Sequence, residues 1–273
     1  DLGAQKINKF ELSTYRNKIL KSDLTLGGFG ISRYTLDNAL FEKVKSQHVE
    51  TVQDSVVDIQ FLDDEFSVVT KSNNTYRSKV VIGAYGKRSA IDVTLERNFI
   101  KNKSPFLAVK THVKGNFPND LVALHNFKGG YCGVSKVEND TINLCYITDF
   151  DSFKAYKDID DFQEKVIFKN TFLKLIFKNS TPVFERPLTI SQISFSNKNP
   201  VENHIIMCGD TAGMIHPLCG NGMSMAIRSA QIASQLIIDY LQGNIKSRQA
   251  LEKAYQKSWN NEFKTRLKVG HFV

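Results

Sequence analysis

Residues 209–222 read Gly209-Asp210-Thr211-Ala212-Gly213-Met214-Ile215-His216-Pro217-Leu218-Cys219-Gly220-Asn221-Gly222, and the segments on either side give the run its meaning. Before it, His204-Ile205-Ile206-Met207-Cys208 is a short, mostly apolar run, the texture of a strand buried on both faces. After it, residues 222–242 carry helical periodicity and stop at Gly243, where a left-handed C-cap glycine belongs. The order is buried strand, acid at its carboxyl end, proline-containing loop, two glycines and a long helix. An acid at that strand end is placed to accept hydrogen bonds from sugar or polyol hydroxyls. Glycines at a helix start let a ligand approach bare backbone N–H groups, where the helix dipole favours negative charge.

Working outward, Leu36, Leu40 and Val44 lie four apart and predict a helix over 34–47. Residues 56–61, 66–70 and 79–82 read as strands, with turn chemistry at Asp63-Asp64 and Asn73-Asn74. The last, Val80-Val81-Ile82 before Gly83, has the look of a fully buried strand. From 105 to 147 the texture is all strand: 106–113, 121–126, 131–137 and 141–148 are parted by Gly115, Gly129-Gly130 and Asn139-Asp140, the mark of an antiparallel sheet. A helix is expected over 159–177, a strand over 188–195 and a basic helix over 247–267.

The run 209–222 resembles the second FAD-binding motif of the flavoprotein monooxygenase and geranylgeranyl reductase superfamily, GD-x-A-x4-P-x2-G-x-G followed by a helix, at every fixed position. The resemblance implies that Asp210, after Gly209 of the same cofactor-binding set, binds the ribityl or ribose hydroxyls and that Pro217 lies along the isoalloxazine. It gives Gly220, Asn221, Gly222 and Met223 the stabilisation of negative charge at the flavin pyrimidine edge. Two weaker matches precede it. Gly83-Ala84-Tyr85-Gly86-Lys87-Arg88-Ser89 is similar to the family's G-x-D-G-x-x-S motif, with Tyr85 in place of the acid and Asp92 where an Arg is usual. That acid is associated with FAD and with NAD(P)H, so NAD(P)H is left open as electron donor. Ile31-Ser32-Arg33-Tyr34 resembles a helix start whose Arg reaches toward the FAD pyrophosphate, a role that falls to Arg33. Val56 completes the cofactor-binding set on the same resemblance.

The resemblance implies an α/β (α+β) architecture: a glutathione-reductase-like FAD-binding fold with an inserted antiparallel β-sheet substrate domain. Residues 1–104 and 198–242 are expected to bind the cofactor, 105–197 to form the inserted sheet and 243–273 the basic helix. Arg33, Gly83 and Asp210 are expected on one side of a cleft with Gly220–Gly222 at its centre. The family's first motif, GxGxxG in a βαβ unit, is not found. Gly28-Phe29-Gly30-Ile31-Ser32-Arg33 lacks the third glycine, so the N-terminal βαβ reads as missing and this chain alone is expected to bind FAD weakly.

Composition narrows the classes further. The 273 residues are 41% hydrophobic and 23% charged, which excludes global disorder, and no apolar run reaches a membrane span. The N-terminus shows no signal peptide, and Cys132, Cys145, Cys208 and Cys219 have no CxxC spacing, so reduced thiols and a cytoplasmic location are expected. His125, His204 and His216 have no metal-ligand spacing. Seven basic against two acidic side chains give +5 over residues 243–273. That reads first as a solvated helix face, with a peripheral membrane contact left open and no nucleic acid expected. The single Trp259 excludes the W-x-W-x-I-P halogenase signature. The archaeal geranylgeranyl reductase signature is also absent, so a prenyl substrate is not implied. The reading is an FAD-dependent oxidoreductase, monooxygenase or reductase, acting on a small organic substrate of apolar or aromatic character. His125, Tyr131, Cys132 and Cys145 are the candidate pocket lining, and no catalytic residue is assigned. The rival is a flavin-free fold remnant serving as a binding or interaction domain.

Overall fold

In a computed structural model the described residues are 2–102, 105–191, 193, 195–216 and 220–270. In chain order they form β1 (Gln5–Ser13), β2 (Ile19–Gly30), α1 (Arg33–Ser46), β3 (Val56–Leu62), β4 (Glu65–Thr70), β5 (Thr75–Ser78), β6 (Ile82–Gly83) and α2 (Ala90–Thr94). These are followed by β7 (Phe106–Gly115), β8 (Leu121–Phe127), β9 (Gly130–Val137), β10 (Thr141–Asp149), α3 (Phe150–Phe153), α4 (Ile159–Lys165) and α5 (Thr171–Lys178). The remainder is β11 (Ser180–Pro182), β12 (Leu188–Ile190), β13 (Val201–Glu202), β14 (Ile205–Met207), α6 (Gly222–Leu241) and α7 (Arg248–Gly270). The chain divides into two compact units: Asp1–Thr51 with Ser104–Ile193, and Val52–Lys103 with Ser194–Val273. The fold is mixed α/β.

The first unit is built on one sheet in the order β11-β7-β10-β9-β8-β1-β2, with β12 also paired to β7. The hairpins expected over 105–147 are present and antiparallel, with His125 opposite Cys132 and Cys132 opposite Tyr146. The sheet is not purely antiparallel, however: β1 joins β8 in parallel, Leu12 beside Leu124. That pairing is why residues 1–51 belong with the sheet, whereas the whole stretch 1–104 was expected to bind the cofactor. One face turns Val109, Ala123, Phe127, Cys132, Val134, Leu144 and Tyr146 onto Phe162, Ile167 and Leu173 of the helical segment after β10. The single helix expected over 159–177 is broken into α4, a 3-10 turn at Ile167–Lys169 and α5. Asn170 causes the break: its side chain accepts from the N–H groups of Phe172 and Leu173 and starts a new helix.

In the second unit β13, β14 and β6 form a small sheet, and β3-β4-β5 a meander whose first turn holds Asp63 and Asp64 at positive φ. The third strand expected at 79–82 is displaced. β5 ends at Ser78 and β6 begins at Ile82, which is 46% exposed because β6 is an outer strand of its sheet, bonded there to β14. Of the strand expected over 188–195, Leu188–Ile190 is β12, while Gln192 and Ser194 lie outside the described residues. Nor is α7 a free-standing basic helix. Leu251, Tyr255, Trp259 and Phe263, four apart, are buried with Ile205, Ile206, Met207, Ala233 and Ile237. Each such side chain contributes about 1.5–3 kcal/mol of burial. Arg248 at its start is bonded to Asp64 at 2.6 Å and to the Lys79 carbonyl at 2.6 Å.

Candidate functional site

Strand β14 is fully buried and pairs in parallel with β6, Met207 beside Gly83. A Cβ on Gly83 would lie 2.5 Å from Met207 Sδ, so a larger residue there would displace the Met207 side chain. The Cys208 N–H donates to the Gly83 carbonyl at 2.9 Å and extends the pairing to the edge of the motif. The chain then turns through a 3-10 turn at Gly209–Thr211. Gly209 sits at φ +59°, and a Cβ there would meet Ala226 Cβ at 3.1 Å, so both the dihedral and the contact with α6 favour glycine. Its N–H donates to Ser229 Oγ of α6 at 2.9 Å, tying the turn to the helix that follows it in sequence.

Two further sets of bonds hold this turn. Thr211 Oγ1 accepts from the Gly86 N–H at 2.9 Å and donates to the Gly86 carbonyl at 3.1 Å. Lys198 Nζ donates to the Asp210 carbonyl at 2.7 Å and the Lys87 carbonyl at 2.6 Å, with the Phe99 ring 4.3 Å away. Burial, then the neighbouring Arg97, brings the Lys198 ammonium down to about 8. Lys87 is lowered as well, by burial, against the pull of Asp210. The motifs at 83–89 and 209–211 therefore form one hydrogen-bonded substructure.

The glycines at the start of α6 have a different character. Gly220, at φ +64°, and Gly222 have no atom of the described residues within 4 Å of where a Cβ would stand. Asn221, in the N-cap position, makes no side-chain capping bond, and its buried Oδ1 has no hydrogen-bond partner among the described residues. A 20-residue helix that opens on glycine, beside an acceptor unmatched among the described residues, is suited to an anionic or hydrogen-bonding ligand edge. This donor set is chemically compatible with the polar edge of a flavin. Pro217 lies outside the described residues.

The other sequence candidates separate. Val56 opens β3 and is 38% exposed. Arg33 opens α1 in the sheet unit, where its guanidinium pairs with Asp37 at 3.0 Å on the exposed surface. The N-terminus of α1 already holds a carboxylate. Glu138 accepts from the Ser32 N–H at 2.8 Å and from Thr35 Oγ1 at 2.7 Å. Burial opposes its charge, but these bonds win and bring Glu138 down to about 2.

Of the four pocket candidates, strand alternation places His125 and Cys132 on the helix-covered face, 1% and 0% exposed, and Tyr131 and Cys145 on the other. His125 is a core residue: its Nδ1 bonds Ser13 Oγ at 2.8 Å, and Asn170 Nδ2 donates to the same hydroxyl at 2.7 Å. Its ring stacks on Phe172. Sequence reading missed Thr211, Lys198, Ser229 and Arg97. Thr211 stood inside the quoted run, but nothing in residue spacing marked the other three.

The squalene epoxidase family model matches residues 177–269. The chain is 24% identical to conditioned medium factor receptor 1 of Dictyostelium discoideum over 251 residues, 85% of this chain and 48% of that protein. It is 23% identical over 265 residues to a digeranylgeranylglycerophospholipid reductase of Methanococcus vannielii, 91% of this chain and 64% of that protein. It thus spans about half to two thirds of the length of these relatives. Among solved structures, the flavin-dependent brominase Bmp2 superposes with a TM-score of 0.78 at 18% identity, over 96% of this chain and 69% of its own. The fold is therefore that of the flavin-dependent monooxygenases and halogenases, and the superfamily resemblance carried by residues 209–222 is matched by a geranylgeranyl reductase relative.

Proposed function

We propose that this chain forms a portion of an FAD-dependent oxidoreductase, a monooxygenase or a reductase, acting on a small organic substrate of apolar or aromatic character. The observation that carries the reading is the run from Gly209 to Gly222. A turn with Gly209 at a left-handed dihedral against Ala226 precedes a long helix at whose start Gly220 and Gly222 meet no described atom within 4 Å of a Cβ position. Bound flavin would supply the redox chemistry, and the chain would supply orientation and electrostatics. In this reading Asp210 holds sugar or polyol hydroxyls, and the start of α6 faces the electron-rich edge of the ring. Tyr131 and Cys145, on the sheet face away from the aromatic core, are the pocket residues retained. NAD(P)H is the proposed donor class. The test is purification of the whole protein: it should be yellow and release FAD on acid precipitation, and colourless protein with no extractable flavin refutes the reading.

A flavin-free binding domain is the second reading, favoured by the relative named as a receptor. The same flavin measurement separates the two. A peripheral membrane contact rests on Lys253, Lys257, Lys264 and Lys268, all on exposed positions of α7. It requires co-sedimentation with anionic vesicles that salt reverses.

A further inference from the structure

Arg97 is the largest fully buried side chain in the described structure, 1% exposed, and it lies outside every motif described above. Its guanidinium reaches five partners. Nε bonds Glu202 at 2.6 Å, Nη1 bonds Asp92 at 2.9 Å and the Thr211 carbonyl at 3.0 Å, and Nη2 bonds the Asn199 carbonyl at 3.2 Å. A longer contact of 3.4 Å runs from Nη1 to the Tyr85 hydroxyl. Asp92 is itself 0% exposed and accepts from the Ser89 N–H at 2.7 Å. The planar fork thus joins three segments: Tyr85–Asp92, Asn199–Glu202 and the turn at Gly209–Thr211. Lysine, a single point of charge on a flexible stem, cannot make these bonds together.

We infer that Arg97 is a positioning residue: from the centre of this network it fixes the Gly209–Thr211 turn and the motif around Tyr85 as one rigid support. The two departures from the family pattern belong to the same arrangement. Tyr85 stands where the motif has an acid and Asp92 where it has an Arg, and Arg97 bonds both side chains. Relative to that pattern, a cation stands five residues further along the chain, at Arg97, and a carboxylate bonded to it occupies the place of the Arg. Leaving Asp92 and Glu202 without Arg97 would strand a fully buried carboxylate beside unbonded carbonyls, a strongly unfavourable state. The network therefore couples the geometry of the turn to the integrity of its neighbours.

The consequence for a flavin rests on the proposed function; the consequence for the turn does not. Backbone amide exchange at Cys208, Gly209, Ala212 and Gly213 reads the turn directly, and FAD titration of the same preparations reads the site. In Arg97→Lys, exchange at these amides should quicken at least about tenfold relative to amides of β3 and β4, and FAD affinity should fall by about tenfold. Unchanged exchange in a folded Arg97→Lys protein overturns the proposal. Should that variant not fold, Glu202→Gln carries the test, since Glu202 is the network's one partly exposed carboxylate. Selective quickening at the turn supports the proposal, and uniform or absent change overturns it. If the wild type binds no FAD, the flavin reading falls, and the exchange comparison still decides the role of Arg97.

Discussion

Arg97 and Asp92 form an ion pair at 2.9 Å in which neither side chain meets solvent, 1% and 0% exposed. Neutralising Asp92 leaves Arg97 with Glu202 as its one remaining carboxylate partner. Asp92→Asn should therefore cost about 1–3 kcal/mol of unfolding free energy, the range for a buried hydrogen bond to a charged group. Urea denaturation checks this; a loss below about 1 kcal/mol would mean that water or a rearranged partner satisfies Arg97.

The two kinds of glycine at the candidate site should behave in opposite ways. Gly209→Ala forces a left-handed dihedral and a contact with Ala226, and should destabilise by about 1–2 kcal/mol or more. Gly222→Ala enters open space at the first helical residue and should be neutral or stabilising, by up to about 1 kcal/mol. The same methyl group stands where a ligand would approach the backbone, so FAD affinity should drop while stability does not. Thermal unfolding and FAD titration on both variants test the distinction.

Lys198 gives a signed pH dependence. Its amine is at about 8 in the folded chain against 10.5 as the ordinary value. Between those limits the unfolded chain holds more protons than the native one, so stability should rise with pH across the window. Lys198→Met abolishes that contribution. The difference between wild-type and variant unfolding free energies should climb in favour of wild type from pH 8 to 10.5, and a flat difference would contradict the buried, carbonyl-bonded ammonium.

His125 acts at the other end of the scale. Burial lowers it to about 4 from 6.5, so the native protein resists protonation that the unfolded chain accepts. Stability should fall as pH drops from 6.5 to 4, by up to about 3 kcal/mol. His125→Gln should lack this acid sensitivity. Equal acid sensitivity in both proteins would place the imidazole in a more open setting than the Ser13–Asn170 knot.

Much of the architecture was legible in the chain. The four hairpin strands from 106 to 149, the helix from Gly222 and the strand before Gly209 follow from alternation, turn residues and apolar runs, which are local signals. What escaped depends on distant partners. The parallel union of β1 with β8 has no local mark, so the packing of residues 1–51 with the sheet of 104–193 was not legible in the sequence. The short strand β6 looked buried because Val80-Val81-Ile82 is apolar, but its setting is decided by which strand pairs with it. Residue type could not separate His125 and Cys132 from Tyr131 and Cys145. Only register shows that the first pair faces the aromatic core. Arg97 was invisible for the same reason, since its five partners are spread from Tyr85 to Thr211.

The most direct test of the central claim is FAD binding by the whole protein with and without the Asp210 carboxylate. Wild type should carry stoichiometric, non-covalent FAD, and Asp210→Ala should weaken binding by about 1.5–3 kcal/mol if the carboxylate hydrogen-bonds the cofactor's hydroxyls. That loss is roughly ten- to hundredfold in dissociation constant. Whole protein that takes up no FAD, or an Asp210→Ala variant with unchanged affinity, would contradict the assignment of residues 209–222 to a flavin.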